Sequence, residues 1–192
     1  MKKSKAETEQ TRRRIVAAAA DEVRRKGLAD ANMGEAMSAA GLTHGGFYRH
    51  FSNREQLFEE GLKQAMAASG KLMADRAAAG GISNAIDGYL SAQHRDEDVP
   101  RCPYAAMGSE LARHPTLKAE AWAGVSVQIA TLAHSIGDDE GANDRATVIF
   151  ALMMGAMTLS RMATDEDRSD SILALARRES LAIARVVATE SG

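Results

Sequence analysis

The chain has 192 residues, 45% of them apolar and 26% charged, with a formal net charge of -2, which suits one compact protein of one or two small domains. Its single cysteine, Cys102, excludes a disulfide framework, and no apolar stretch follows the charged start Met1-Lys2-Lys3 to mark secretion. The most apolar segment, Ala146 to Leu159, is shorter than the ~20 residues of a membrane-spanning helix and includes Thr147 and Thr158, so a soluble cytoplasmic protein is expected.

Alanine occupies 37 positions against 16 for valine plus isoleucine, and only three prolines interrupt the chain. An all-α fold is expected, because good helix formers far outnumber strand formers. Charge is unevenly spread. Residues 1–54 carry 11 Lys plus Arg against 6 Asp plus Glu, a balance of +5, and the remaining 138 carry 13 against 20, a balance of -7. A basic N-terminal part can be drawn to polyphosphate while an acidic remainder is repelled from it. Lys2 to Arg14 can equally be a solvated basic tail.

In chain order, Ile15, Ala18, Ala19 and Val23 recur at helical spacing within a first helix over about Thr8 to Lys26, and Gly27-Leu28 supplies its stop. Asn32 is the expected N-cap of a short helix, Met33 to Ala40, with Glu35 in the capping-box position and Gly41 as the terminator. Gly34 in its first turn weakens this helix slightly. A third helix, His44 to Phe51, is predicted with Thr43 as its cap, so that two short helices joined by a three-residue glycine turn form a helix-turn-helix unit. Ser52-Asn53-Arg54-Glu55 reads as a capping box opening a long helix to about Arg76, and Ala77 to Gly81 reads as a loop. Further helices are expected over about 83–94, 104–113, 115–136, 143–163 and 169–189.

The densest chemistry lies in Gly41-Leu42-Thr43-His44-Gly45-Gly46-Phe47-Tyr48-Arg49-His50-Phe51. Four of the eight aromatics, Phe47, Tyr48, Phe51 and Phe58, fall within twelve residues. Phe47 and Phe51 are four apart and face one side of a helix, which leaves Tyr48, Arg49 and His50 to point elsewhere. Gly45 and Gly46 at a helix start cost roughly 1 kcal/mol each relative to alanine, so an offsetting reason is expected, and close approach to another surface is one. A recognition helix has that requirement in the major groove of DNA. An ordinary helix corner with a loose glycine turn has the same spacing.

Together with Thr11-Arg12-Arg13-Arg14-Ile15, Gly27-Leu28, Glu35 to Leu42 and Asn53-Arg54-Glu55-Gln56-Leu57, this segment resembles the TetR family of bacterial transcriptional repressors over about residues 11–62. The resemblance implies an N-terminal three-helix helix-turn-helix domain, residues 1–54, with a connecting helix starting over 53–76. It implies a C-terminal helical domain, 55–192, that binds an effector and dimerises. It further implies that Thr43, Tyr48, His50 and Arg54 hold phosphates and that His44, Gly45, Gly46 and Arg49 lie against the bases. Ala36 and Met37 depart from the family pattern of a larger aliphatic followed by a small residue, which implies a repacked core beneath the turn.

Beyond residue 62 the likeness is looser. Arg101-Cys102-Pro103-Tyr104 followed by Gly108 to Arg113 is similar to a segment of the subgroup whose recognition helix carries Gly-Gly-Phe-Tyr. Ala146 to Leu159 is apolar nearly all round, which a helix needs when both its own domain and a partner bury it. With Ile172, Ala176, Ile183 and Val187 on the last helix, it can supply half of a four-helix homodimer interface. Tyr89, His94, Met107, Trp122 and Met154 are candidate contacts for a small-molecule effector, and Cys102 beside Arg101 is a candidate for the same pocket or an oxidant-sensing alternative trigger.

Enzyme motifs are missing. Gly70-Lys71-Leu72 lacks the earlier glycine and the following Ser or Thr of a phosphate loop, no Gly-x-Ser-x-Gly occurs, and the five histidines fall at no metal-ligand spacing with Cys102. The expectation is a non-enzymatic homodimeric repressor with no metal or cofactor, binding a palindromic double-stranded operator and released by an effector. The alternative from another class is a helical ligand-binding protein or small enzyme without operator recognition.

Overall fold

The computed structural model describes residues 4–186, and among them the fold is all-α. Eight α-helices occur among these residues, in the order α1 (Lys5–Asp30), α2 (Met33–Ala39), α3 (Arg54–Tyr89), α4 (Ala92–Arg95), α5 (Pro103–Arg113), α6 (Leu117–Ile136), α7 (Ala142–Met162) and α8 (Glu166–Ala184), with a 3-10 helix, His44–Arg49, between α2 and α3. Lys2, Lys3, Val187 and Thr189, which entered the sequence expectations, lie outside the described residues. The chain divides into two compact units. The first takes residues up to Ala68 with Asp98–Lys118, and the second takes Ser69–Glu97 with the chain from Ala119 onward.

In the first unit α1 starts earlier than its apolar stripe suggests, because Ser4 and Glu7 form a reciprocal cap: the Glu7 amide donates to Ser4 Oγ at 3.1 Å and the Ser4 amide to Glu7 Oε2 at 2.7 Å. Lys5 to Arg14 are therefore helical, not a tail. The helix breaks where expected, at Gly27, whose φ of 82° and ψ of 169° only glycine adopts without strain. There the Leu28 amide donates to Glu110 Oε2 of α5 at 2.8 Å, and a Cβ on Gly27 would stand 2.6 Å from Glu110 Oε1. This clasp seats α5 in the first unit, although the resemblance assigns everything beyond residue 54 to the other domain.

The core of this unit joins Ile15, Ala19 and Val23 of α1, Ala36 and Met37 of α2, Phe47 and Phe51, Leu57, Phe58 and Leu62 of α3, and Met107 and Leu111 of α5. Gly61 allows α3 to lie on α1, since a Cβ there would be 2.8 Å from the Ala20 amide nitrogen and 3.0 Å from the Ala19 carbonyl carbon. Met37 is fully buried beside the small Ala36.

Two caps differ from the sequence expectation. Asn32 caps α2 by accepting from the Gly34 and Glu35 amides at 2.8 and 3.2 Å, but its own amide donates to Glu22 Oε1 at 3.0 Å, not to Glu35. Glu35 instead pairs with Lys26 at 2.5 Å. At the start of α3 the box shifts one residue: Asn53 Oδ1 accepts from the Gln56 amide at 2.8 Å and Gln56 Oε1 accepts from the Ser52 amide at 2.8 Å. Asn53 and Gln56, not Ser52 and Glu55, close the helix end.

The second unit holds the rest of α3, α4, most of α6, and α7 with α8. α3 runs past the expected end near Arg76 and kinks at Gly80-Gly81 before continuing to Tyr89. α7 and α8 pack as a pair joined by the short connection 163–165, with Asp165 capping α8 by accepting from the Arg168 amide at 2.8 Å. Ile149, Phe150, Met153 and Met157 of α7 and Leu173 and Ala176 of α8 are buried. Arg161 ties this pair to α4, its Nη2 donating to the His94 carbonyl at 2.9 Å and its Nε to that of Arg95 at 3.2 Å. No helix among the described residues is long and apolar enough to cross a membrane.

Candidate nucleic-acid interface

The helix-turn-helix segment is built by a tight stop. Gly41, at φ 74°, ends α2 while the Leu42 amide donates to the Met37 carbonyl at 3.0 Å and the Gly41 amide to that of Ser38 at 2.9 Å. Thr43 then turns the chain into an extended residue, and its side chain makes no capping hydrogen bond, contrary to the expected role. The next element is not an α-helix to Phe51 but one 3-10 stretch, His44–Arg49. Six residues with two glycines are too few to sustain i to i+4 bonding by propensity, so the tighter turn results.

Two aromatic anchors hold that stretch. Phe47 and Phe51 are buried and stack at 5.7 Å between centroids, and the Arg12 guanidinium covers the Phe51 ring at 4.7 Å while pairing with Glu60 at 2.6 Å. With Phe47 fixed inward, Tyr48 is driven out: it rests edge-on against Phe47 at 5.1 Å and is 73% exposed. His44, Gly45 and Arg49 are exposed too, whereas Gly46 and His50 are half-buried. His44 and Arg49 make no side-chain hydrogen bond or ion pair with any described residue, so their polar atoms are available to an external partner.

Gly45 and Gly46 have no role inside the fold. Neither has a positive φ, a Cβ on Gly45 would meet nothing within 4 Å, and one on Gly46 would make only ordinary contact with Met37 Cε at 3.9 Å.

Arg54 is placed differently. Its Nη2 donates to the carbonyls of Leu28 and Ala31, each at 2.8 Å, and to Ala29 at 3.3 Å, and its guanidinium lies 4.8 Å from the Phe58 ring centroid. This group closes the end of α1 that the Gly27 break leaves with bare carbonyls, a role that sequence reasoning missed because the partners are 23 to 26 residues away. Arg54→Ala should therefore lower stability by about 1–3 kcal/mol in urea denaturation. It should leave the slope of log affinity against log salt unchanged for DNA, and a slope reduced by about 1 would return Arg54 to the phosphates.

The six candidate effector residues fall into both units. Cys102 and Met107 are in the first, and Cys102 is only 1% exposed at the N-cap of α5 with no side-chain capping bond. Tyr89, His94, Trp122 and Met154 are in the second. Tyr89 and His94 are buried with ring centroids 4.7 Å apart, Met154 is half-buried, and Trp122 is 66% exposed on α6. Burial pushes the His94 pKa down, helped by the positive charges of Arg161 and Arg76 and opposed by the Tyr89 carbonyl and Glu97. No group of three or more His, Cys, Asp or Glu among the described residues can hold a metal ion.

Residues 15–60 match the family described as "Bacterial regulatory proteins, tetR family". Solved structures share the fold over nearly the whole chain. A TetR-family transcriptional regulator from Cytophaga hutchinsonii is 20% identical with a TM-score of 0.76, covering 96% of this chain and 100% of its own. The reduced form of NemR from E. coli is 18% identical with a TM-score of 0.76, covering 94% and 100%. A TetR transcriptional regulator from Chloroflexus aurantiacus J-10-FL is 24% identical with a TM-score of 0.74, covering 94% and 97%. Residues 15–60 thus match the helix-turn-helix domain model of that family, and the chain as a whole shares its fold with these solved structures.

Proposed function

We propose that this protein is a repressor that binds a palindromic operator as a homodimer and releases it when a small-molecule effector binds the second unit. The observation that carries DNA recognition is the projecting segment His44–Arg49, in which an aromatic, a cation and two glycines without an internal role are held outward by two buried phenylalanines. Tyr48, with Thr43 and His50, is suited to phosphates, and His44, Gly45, Gly46 and Arg49 to base edges. Such assignments match the subgroup pattern Gly-Gly-Phe-Tyr.

Dimerisation is supported by an unpaired apolar face. Val148, Ala151, Gly155, Leu159 and Met162 recur at helical spacing on the exposed side of α7, and Ala174, Leu175 and Ala182 are exposed on α8. Leu159→Arg is expected to yield a monomer in sedimentation equilibrium and to weaken operator binding by about 10²- to 10⁴-fold, since each half-site must then be held alone. A dimer that survives this substitution would move the interface elsewhere.

An effector can shift operator affinity only by its differential affinity for the two conformations, commonly about 5- to 150-fold. Oxidation at Cys102 is the less favoured trigger because the thiol is buried. The deciding experiment is selection of bound duplexes from a random DNA pool at near-physiological salt. One enriched palindrome supports the proposal, whereas binding only at low salt without enrichment overturns operator recognition.

A further inference from the structure

Between Glu120 and Asp138 the sequence holds no Asp, Glu, Lys or Arg, yet Trp122, Val127, Ala130 and His134 of α6 are exposed. A solvated helix face normally carries charge, so this one calls for a cover. Within the second unit it borders a groove of about 730 Å³, whose α3 wall is Ala74, Ala77, Ala78 and Gly81 and whose α6 wall includes Val127, Ala130 and His134. That volume lies within the ~300–1,000 Å³ of small-molecule sites. The hydroxyls of Thr131 and Ser135, also in the α6 wall, donate to the carbonyls of Val127 and Thr131, each at 2.9 Å, and are spent as donors. His134 makes no side-chain hydrogen bond or ion pair with any described residue, so it is the polar group left for a ligand.

The groove also runs against the weak point of α3. Helical geometry breaks at Gly80 and at Gly81, whose φ of 65° and ψ of -161° are open to glycine alone. On one side the break is braced. Asn84 Nδ2 donates to the Arg76 carbonyl at 2.8 Å, a Cβ on Gly80 would stand 2.7 Å from Asn84 Cβ, and one on Gly88 would stand 2.6 Å from Arg76 Nε. On the groove side a Cβ on Gly81 would meet nothing within 4 Å. A molecule seated in the groove fills the unbraced side of the break.

We infer that this groove is the effector site, that its ligand is an uncharged, largely apolar ring compound with one polar group for His134, and that the ligand acts by holding the Gly80-Gly81 break in one conformation. This rests on the effector-release reading above and adds the site and the ligand's chemical class. No Lys, Arg, Asp or Glu lines the groove, so a charged ligand would lose hydration there without a counter-charge.

The test compares three probes with one ring system and different charge: 1-naphthalenemethanol, 1-naphthoate and 1-naphthylmethylammonium. Calorimetry on the full-length protein at pH 8, above the ordinary imidazole range, should show the alcohol binding at least about tenfold more tightly than either ion. Ala130→Leu fills the groove from an exposed helical position, and Ala123→Leu makes the same change on α6 outside it. The first should weaken alcohol binding at least about tenfold and the second should leave it within about twofold. The amide signals of Gly81 and Val127 should shift with the alcohol in the parent and stay in place in Ala130→Leu. Equal affinity for all three probes, or an alcohol that fails to bind at about 1 mM, overturns the ligand class. Unchanged affinity in Ala130→Leu overturns the site, and a dimer lost in that variant by sedimentation gives the groove to a second copy instead. Operator release is followed in the same samples. Release by the alcohol from the parent but not from Ala130→Leu supports both readings. Release from both proteins overturns this site and leaves the proposed function standing, whereas groove binding without release overturns the effector role and leaves a binding site.

Discussion

Gly61→Ala should destabilise the protein by about 3 kcal/mol, a loss at the upper end of what an added methyl costs in a packed core. The methyl would meet backbone, not the flexible end of a side chain: the Ala20 nitrogen at 2.8 Å and the Ala19 carbonyl carbon at 3.0 Å. α1 and α3 would have to part, loosening Ile15, Leu57 and Leu62 around them. For a chain of this size the expected fall in Tm is roughly 6–12 °C by circular dichroism. A Tm within about 1 °C of the parent would mean that α1 and α3 can separate without loss. Gly45→Ala and Gly46→Ala are the internal contrast. The space is open at Gly45 and allows an ordinary contact with Met37 at Gly46, so stability should hold or rise by up to about 1 kcal/mol while operator affinity falls at least about tenfold. Loss of binding in a protein that is no less stable would place the need for these glycines at the DNA surface.

The second large effect is electrostatic. If the exposed segment engages phosphates with its basic surroundings, at about 6–10 contacts per dimer, affinity for a specific duplex should fall about 10³- to 10⁵-fold between 50 and 200 mM salt. Within that envelope two neighbours should separate. Tyr48→Phe removes one hydroxyl from a side chain that is 73% exposed, so binding should weaken by about 0.5–1.5 kcal/mol on all sequences alike. Arg49→Ala should cost about 1–3 kcal/mol and relax preference at one base position if its guanidinium reads an edge in the major groove. Fluorescence anisotropy on the selected operator and its single-base variants measures both. Equal losses on every variant would assign Arg49 to the backbone.

Arg54 shows why a motif residue and its role are separable. Its position in the family pattern implies phosphate contact, yet one of its three nitrogens, Nη2, is directed to three carbonyls at the broken end of α1. The resemblance concerns which residue type stands where, and a guanidinium satisfies carbonyl oxygens as readily as phosphate oxygens.

What the sequence determined by itself was local. The all-helical class, the stops at Gly27 and Gly41, the Asn32 cap, the short helix over 104–113, which starts one residue earlier at Pro103, and the inward pairing of Phe47 with Phe51 all depend on residues within about one or two helical turns, where backbone geometry leaves few choices. The tertiary structure alone decided which side chains serve distant backbone groups. Glu22 reaches the Asn32 amide, Glu110 the Leu28 amide and Arg54 the Leu28 carbonyl, across 10, 82 and 26 residues respectively. It also shifted the α3 cap to Asn53 and Gln56, tightened the third helix to a 3-10 turn, and brought α5 into the first unit. A buried polar group takes whichever partner packing brings within about 3 Å, and that proximity is set by the whole fold, not by neighbours along the chain.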